Sequence, residues 1–585
     1  MLCIKTVPMK LNSKYFLWAL LIAVSTCIFF LPVLQGEFLH WDDRALFIEN
    51  PYYLGLSPSH WQWMCTAVLL GHWQPLSWLS YAVDYKMWGL NPQGWHAINL
   101  LLHAANAVLV YLLCLAFLKE WPRRYAVAAL AALFWAVHPL RVEAVAWLST
   151  RGYLLCGTFS LLTVLSYLRA VERKRYPLAA LLCFALATFT KGIGMMLPLV
   201  LLLMDWHRAW GVEHGADGAG TWGWWRKRVV EKIPFLSLSL LTGITAFLAK
   251  QTDGGMASVE QYGLAERSGQ ALYGIWFYLL KIVSPLHLSP LYTSRPGVGA
   301  IISALVLTAA TGIFLFLFWR KTLPIIGILG AFLLLIFPML GFTQSGAQMF
   351  ADRFTYLAAV PFSILLGAGL ARLTVMRRTV YSAVAVLLFV FGAQTFVYST
   401  VWHDDLTLWN HAVAQDRNSA QAYGGVGEAL RNRQAYEEAI KYLNKALLLQ
   451  PDYADALQNR ALTRIETKEY EKAFADVNKA LALEKKNQVS RIKMLITRGQ
   501  IAENLNRPDQ ALADYSEVID DQTAAPFWKL LALQVRARLY LEKGNLAQGK
   551  ADLEAILKLP DPDPDSGQWR KARRILAEIK KIPEE

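Results

Sequence analysis

Two adjacent carboxylates, Asp42 and Asp43, stand in the run Phe38-Leu39-His40-Trp41-Asp42-Asp43-Arg44, just past a long apolar stretch. Neighbouring Asp side chains repel each other, and desolvation near an apolar boundary raises a carboxyl pKa. A carboxylate held partly dry beside a like charge makes a good general base. A solvated helix cap would use the same residues, because Asp is a favoured N-cap, and spacing alone weighs the two readings equally. The pair could also ligate a divalent cation, but nothing else in the sequence supplies a ligand set. No resident metal is therefore expected. No phosphate-binding glycine loop, zinc-protease helix or nucleophile elbow stands in a credible context, so a nucleotide cofactor is not expected either.

The elements that must position these acids are dictated by composition. The chain has 585 residues, 55% hydrophobic and only 17% charged, which is too long for one ordinary soluble domain and poorer in charge than one. From about Tyr15 to Tyr398, apolar runs of helix-spanning length recur between short basic or aromatic loops; after Trp402 the composition becomes that of a soluble helical protein. Much of the net charge of +14 sits in those loops, at Arg123–Arg124, Arg173–Arg175, Arg226–Arg228 and Arg377–Arg378. This is the pattern of topology signals and not of nucleic-acid binding. The cysteines all lie at or before Cys183 and form no C-x-x-C pair, which argues against a disulfide framework or a zinc site.

Lys5, Lys10 and Lys14 should hold the N-terminus on the cytoplasmic side. Tyr15 to Leu34 is longer than a signal-peptide core and lacks a small-residue cleavage site, so it reads as a retained first span. Further spans are expected near Ala97–Leu118, Tyr125–Val137, Tyr153–Ala170, Pro177–Phe189, Ile193–Trp206, Ile233–Ala249, Ala300–Phe318, Leu323–Gly341, Tyr356–Leu373 and Thr379–Thr400, with Ala271–Val283 re-entrant or interfacial. About 11 crossings leave the C-terminus on the outer face. The polar, aromatic segments Phe38–Trp95, His138–Thr150 and Phe342–Tyr356 then share that face, as an enzyme at a membrane surface would need.

The C-terminal third repeats. Gly427, Ala439, Ala446 and Pro451 mark a 34-residue unit beginning near Ala420, and Ala473 and Ala480 recur one unit later. Gly499, Ala511 and Val518 mark a third unit, Gly549 and Ile556 a degenerate fourth, and Arg570–Lys581 reads as a capping helix. Small residues at these offsets let paired antiparallel helices approach and stack, as in tetratricopeptide (TPR) repeats. Residues 1–402 are thus expected to form a polytopic membrane domain, and 403–585 a helical solenoid whose concave groove binds a partner or an acceptor protein. A rigid spacer is the plainer alternative.

The sequence also carries Glu49-Asn50-Pro51, Trp73-Gln74-Pro75-Leu76, Asp84-Tyr85, Trp88-Gly89-Leu90-Asn91-Pro92, His96, Asn99, His103 and Asn106. His138-Pro139-Leu140-Arg141-Val142-Glu143, Lys191 before a Leu-Pro, and Ala351-Asp352-Arg353-Phe354-Thr355-Tyr356 follow in order. As a set these motifs resemble the transmembrane-and-TPR-containing proteins, which are related to protein O-mannosyltransferases of the GT-C superfamily. The resemblance covers nearly the whole chain. It implies an all-α, GT-C-like helix bundle followed by a TPR solenoid, and a glycosyltransferase that moves a sugar, such as mannose, from a polyprenyl-phosphate donor to a protein hydroxyl.

Carried over by the resemblance, Asp42 or Asp43 is the catalytic base, and transfer inverts the anomeric carbon. The lipid-phosphate leaving group needs fixed cations, for which Arg141, Lys191 and Arg353 are the candidates; ionisable residues at membrane depth are functional-site hypotheses by default. Asp352 could orient Arg353, and Glu143 could pair with Arg141. His103 is expected to make an intramembrane hydrogen bond, His96 to flank a helix end, His138 to shape its loop, and Tyr356 to support the site. This chain departs from the family pattern at Gln74, usually Arg, at Gly192, usually Pro, and at Thr150-Arg151-Gly152-Tyr153, where Glu-Arg-Lys-Asp is usual. The eroded loop favours a second reading, a non-catalytic scaffold that assembles a complex through its repeats. A lipid-linked oligosaccharide ligase or polymerase ranks third. Short loops suggest a bacterial inner membrane with periplasmic repeats; an endoplasmic reticulum membrane with luminal repeats satisfies the same physics.

Overall fold

The computed structural model describes residues 13–50, 52, 55–119, 121, 123–212, 221–252, 263–342, 348–373, 377–484, 488–522, 524, 526–559, 574, 575 and 577. The capping helix expected over Arg570–Lys581 falls outside them, save three residues. Among the described residues every regular element is helical, apart from the isolated bridges Leu69–His72 and Tyr292–Phe350. They divide into two compact units, one of residues 1–39 and 64–404, the other of residues 40–63 and 405–585.

Among the described residues of the first unit, six helices are long and apolar enough to cross a membrane: Pro92–Phe117, Leu148–Glu172, Trp222–Gln251, Val298–Leu317, Lys321–Met339 and Arg378–Thr400. Two bent pairs raise the number to eight, and the shorter apolar helices Ser13–Phe29 and Leu178–Thr190 stand beside them. The chain is an integral membrane protein. Helix Leu264–Val283, which carries the segment expected to be interfacial, is not among the spans.

The bends have covalent causes. Arg124–Ala136 and Pro139–Ala146 meet at 57° because Pro139 forces His138 into an extended conformation, with ψ at 133°. His138 stabilises that corner. Its Nδ1 accepts from the Leu140 amide at 3.2 Å, and Nε2 donates to the Ile282 carbonyl at 3.0 Å. The second bend, 55° between Asp352–Ala358 and Val360–Arg372, lies beside Pro361. Each break frees a polar corner from the helical ladder, and Arg141, Glu143, Asp352 and Arg353 sit on these two corners.

The described residues of the second unit form four antiparallel hairpins. They pair Ala420–Asn432 with Tyr436–Leu449, Ala454–Glu466 with Tyr470–Leu483, Gln488–Asn504 with Pro508–Asp520, and Pro526–Glu542 with Leu546–Lys558. Ala439, Ala446, Ala473, Ala480, Ala511 and Val518 are fully buried at the expected offsets. Gly427 is required because a Cβ there would meet the Leu443 side chain and the Ala439 carbonyl oxygen, 3.3 Å away. A polar device recurs as well. Arg460, Arg498 and Arg536 each hold a buried Asp 16 residues on, at Asp476, Asp514 and Asp552, with paired bonds of 2.6–2.9 Å. Each Arg also reaches back to the preceding hairpin, at Asn444, Asn478 or Ser516. Every fork therefore ties two hairpins together.

Candidate active site

The membrane unit contains a cavity of about 370 Å³ lined by His72, Tyr153, Lys191, Lys250, Gln270, Gln348, Arg353 and Phe354 among others. Lys191 and Arg353, both singled out by the sequence, come together there. Lys191 ends helix Leu178–Thr190 in an extended conformation, its Nζ 5.3 Å from the centre of the Tyr153 ring. Its stem passes beside Gly152, where a Cβ would lie 3.2 Å from the Lys191 Cδ, the Ser77 Oγ and the Thr190 carbonyl. The departure from the family pattern at Gly152 thus makes room for the Lys191 side chain.

Arg353 is fixed from two directions. Its amide donates to Glu143 Oε2 at 2.8 Å, its Nη1 pairs with Glu143 Oε1, and its Nη2 donates to Gln348 Oε1 at 3.0 Å. Glu143 is therefore the partner of Arg353, not of Arg141 as expected. The reason is helical geometry: residues two apart face different sides of a helix, so Arg141 and Glu143 diverge. Asp352 does not orient Arg353 either. Its Oδ1 accepts from the Tyr292 hydroxyl at 3.0 Å, on another side of its turn.

Arg141 is buried outside the cavity lining. Its Nη2 donates to Thr355 Oγ1 at 3.0 Å, and its guanidinium lies 5.6 Å from the Trp135 ring centre and 5.8 Å from that of Tyr356. Tyr356 is the hub of this apolar neighbourhood. Its hydroxyl donates to His103 Nδ1 at 2.9 Å and accepts from Asn106 at 3.0 Å, and its carbonyl accepts from Trp135 at 2.9 Å. His103 Nε2 donates to the Ala136 carbonyl at 3.0 Å, which fixes its tautomer. His96 is buried in the space beside Gly36.

Two cavity groups went unnoticed in the sequence. Lys250 ends an apolar helix, where a cation reads only as a topology marker, and His72 is masked by its place in an aromatic loop. A tight turn positions both. Leu70 and Gly71 have φ of 50° and 66°, so the strand-like ends Leu69 and His72 bond each other twice at 3.0 Å. A leucine in the left-handed region is strained. The turn presents the Leu70 carbonyl to Lys250 Nζ at 3.3 Å. Burial and the charges of Lys191, Lys250 and Arg353 hold His72 well below its ordinary pKa of 6.5. Its imidazole is accordingly neutral, and three cations bear on one cavity wall. An apolar groove of about 430 Å³, lined by Met196, Leu199, Leu236, Leu240 and Ile244, shares Met195, Gly243 and Phe247 with the cavity.

Arg151, the charge kept in the departed loop, is structural. It is 0% exposed, pairs with Asp84, and donates to Asn99 Oδ1 at 2.7 Å and to the Trp95 carbonyl at 3.0 Å.

Asp42 and Asp43 belong to the second unit. Asp43 is 0% exposed at the start of the short turn Arg44–Ile48, and its side chain makes no cap hydrogen bond there. The helix-cap reading of that residue is thus removed. Among the described residues no group of three His, Cys, Asp or Glu gathers as a metal site.

The architecture defines the class: a helical integral membrane protein with a cationic cavity and a TPR solenoid. The tetratricopeptide-repeat family profile matches residues 420–453 and 454–487. Protein O-mannosyl-transferase Tmtc3 of Drosophila melanogaster is 25% identical over 482 residues, covering 70% of this chain and 52% of that protein. Protein O-mannosyl-transferase TMTC3 of Homo sapiens is 24% identical, covering 69% and 47%. A Caenorhabditis elegans protein O-mannosyl-transferase is 24% identical, covering 74% and 63%. The chain is similar to these protein O-mannosyl-transferases and spans about half the length of the first two.

Proposed function

We propose that the chain is a glycosyltransferase that takes a hexose such as mannose from a polyprenyl-phosphate donor and transfers it to a Ser or Thr hydroxyl of a protein. The observation that carries this reading is the cavity where Lys191, Lys250 and Arg353 converge, continuous with an apolar groove. A lipid phosphate asks for that pairing: fixed cations for the anion and an apolar trough for the chain. Asp42 or Asp43 removes the acceptor proton. The oxygen attacks the anomeric carbon as the bond to the phosphate breaks, the configuration inverts, and the lipid phosphate leaves with the electron pair. The cations stabilise the charge that grows on it. Arg141 supports this site through Thr355 and Tyr356 without touching the phosphate. The TPR groove presents the acceptor, and the repeats face the periplasm of a bacterial inner membrane.

The test uses the full chain in lipid nanodiscs with polyprenyl-phosphate mannose and a Ser/Thr-containing peptide. Removing one charge-stabilising donor costs roughly 100- to 1,000-fold in turnover, which is the loss expected for Lys191→Ala and Lys250→Ala. Asp42→Asn and Asp43→Asn should not both be silent. Wild-type turnover in all four variants overturns the reading.

A further inference from the structure

The segment carrying the two acids is seated on the repeat unit. The His40 amide donates to Asp405 Oδ1 at 2.8 Å, and its ring Nδ1 lies 2.5 Å from Oδ2. The Trp41 ring packs 5.0 Å from that of Trp409 on helix Asp405–Gln415. Beyond the acids, Arg44 Nε donates to Glu49 at 2.8 Å, and the other Glu49 oxygen lies 3.5 Å from Lys493 Nζ on the first helix of the third hairpin. Between these points, Glu428, on the first helix of the first hairpin, acts electrostatically on His40. Asp42 and Asp43 thus lie between two anchors on a solenoid surface that would otherwise be read as open to foreign peptides.

We infer that Asp405, Trp409 and Lys493 are positioning residues for the reaction. The repeat unit holds the chain's own acid-bearing segment, residues 40–50, through the His40–Asp405, Trp41–Trp409 and Glu49–Lys493 contacts, and so aims the catalytic base. This rests on the assignment of the base to Asp42 or Asp43. An exposed ion pair alone is weak, and a single aromatic pair adds little beyond its buried area. No single contact fixes the segment; the set does. A mobile acid two residues from a hydrogen-bonded anchor becomes a pre-oriented one, and orientation is a large part of catalytic rate. The solenoid then has two tasks, holding the base and receiving the acceptor, so acceptor binding is coupled to the geometry of the base.

The first measurement needs no variant. A zero-length carbodiimide cross-link on the wild-type full chain in nanodiscs should join Glu49 to Lys493, read by peptide mass spectrometry, and amides 40–50 should exchange hydrogen slowly. Absence of the link together with fast exchange overturns the inference. The second measurement compares Lys493→Glu combined with Asp405→Lys against Lys493→Arg. The double variant should raise exchange in 40–50 about tenfold, while hairpin amides beyond Pro508 stay protected as a check on folding. It should lower kcat at unchanged KM for the lipid donor, and Lys493→Arg should behave as wild type. A cross-linked, protected segment whose release leaves kcat unchanged, in a chain inactivated by the Asp→Asn changes, overturns positioning alone. If neither Asp→Asn change matters, the base assignment fails while the tether stands.

Discussion

The two units solve the same problem, an Arg paired with a buried carboxylate, in opposite ways. In the repeat unit the solution is copied: Arg460, Arg498 and Arg536 each fork onto an Asp 16 residues away and reach back to a neighbouring hairpin. In the membrane unit each solution is unique. Arg353 and Glu143 come from positions 210 residues apart, and Arg151 pairs with Asp84 across two helices. The copied device serves stability along a quasi-one-dimensional stack. Of these, the Arg353–Glu143 pair serves placement, because it fixes a corner beside the cavity, whereas the Arg151–Asp84 pair holds the core. The difference teaches where to look for function: a charge pair that recurs is scaffolding, and an unrepeated one marks a site only where, like Arg353–Glu143, it also lines a cavity.

Three experiments can break or sharpen that contrast. The largest effect belongs to the unique pairs. Removing one member of a buried ion pair costs about 3–5 kcal/mol, so Asp84→Leu and Arg151→Leu should each abolish a monodisperse, thermally stable membrane unit, measured by fluorescence-detected gel filtration on heating. The double apolar variant should recover part of the loss, because no charge is then left alone in the core. If the double variant is as unstable as the singles combined, the pair is not an isolated electrostatic unit.

The copied device should respond less and only locally. Arg498→Ala removes a charge-assisted fork from a side chain that is 21% exposed, and the loss is about 1.5–3 kcal/mol. Exchange should accelerate in the second and third hairpins and leave the spans unchanged. A change spread over the whole chain would contradict the one-dimensional picture.

The smallest effect is on pH. The hydrogen bond to Asp405 raises the His40 pKa above its ordinary 6.5, outweighing burial. A raised His pKa means the contribution is fully present below about 6.5 and is lost as pH rises through the folded value. Protection of amides 40–50 should therefore weaken on the alkaline side, and His40→Gln should flatten that dependence.

The contrast also explains what the sequence made legible. Residues 420–483 obey a period, and small residues at fixed offsets announce the hairpins directly. The apolar runs of the membrane unit announce spans with equal force, down to the Pro139 break. Pairing in the cavity was hidden, because partners such as Glu143 and Arg353 meet through tertiary packing. Arg141 drew attention to Glu143 only by being near it in sequence, where helical geometry forbids the contact. Lys250 was hidden for a different reason, since a Lys at a span end looks like a topology signal whether or not it faces a cavity. The copied Arg–Asp fork was present in the sequence as a regular spacing, but a search for small residues passes over it.

The central claim is that this chain adds a hexose to proteins by using its cationic cavity. Intact-mass comparison of exported proteins, from cells with the gene, without it, and with Lys191→Ala in its place, tests that claim most directly. The account predicts a hexose-sized increment on at least one protein, lost without the gene and not restored by the variant. Identical mass profiles in all three would contradict it.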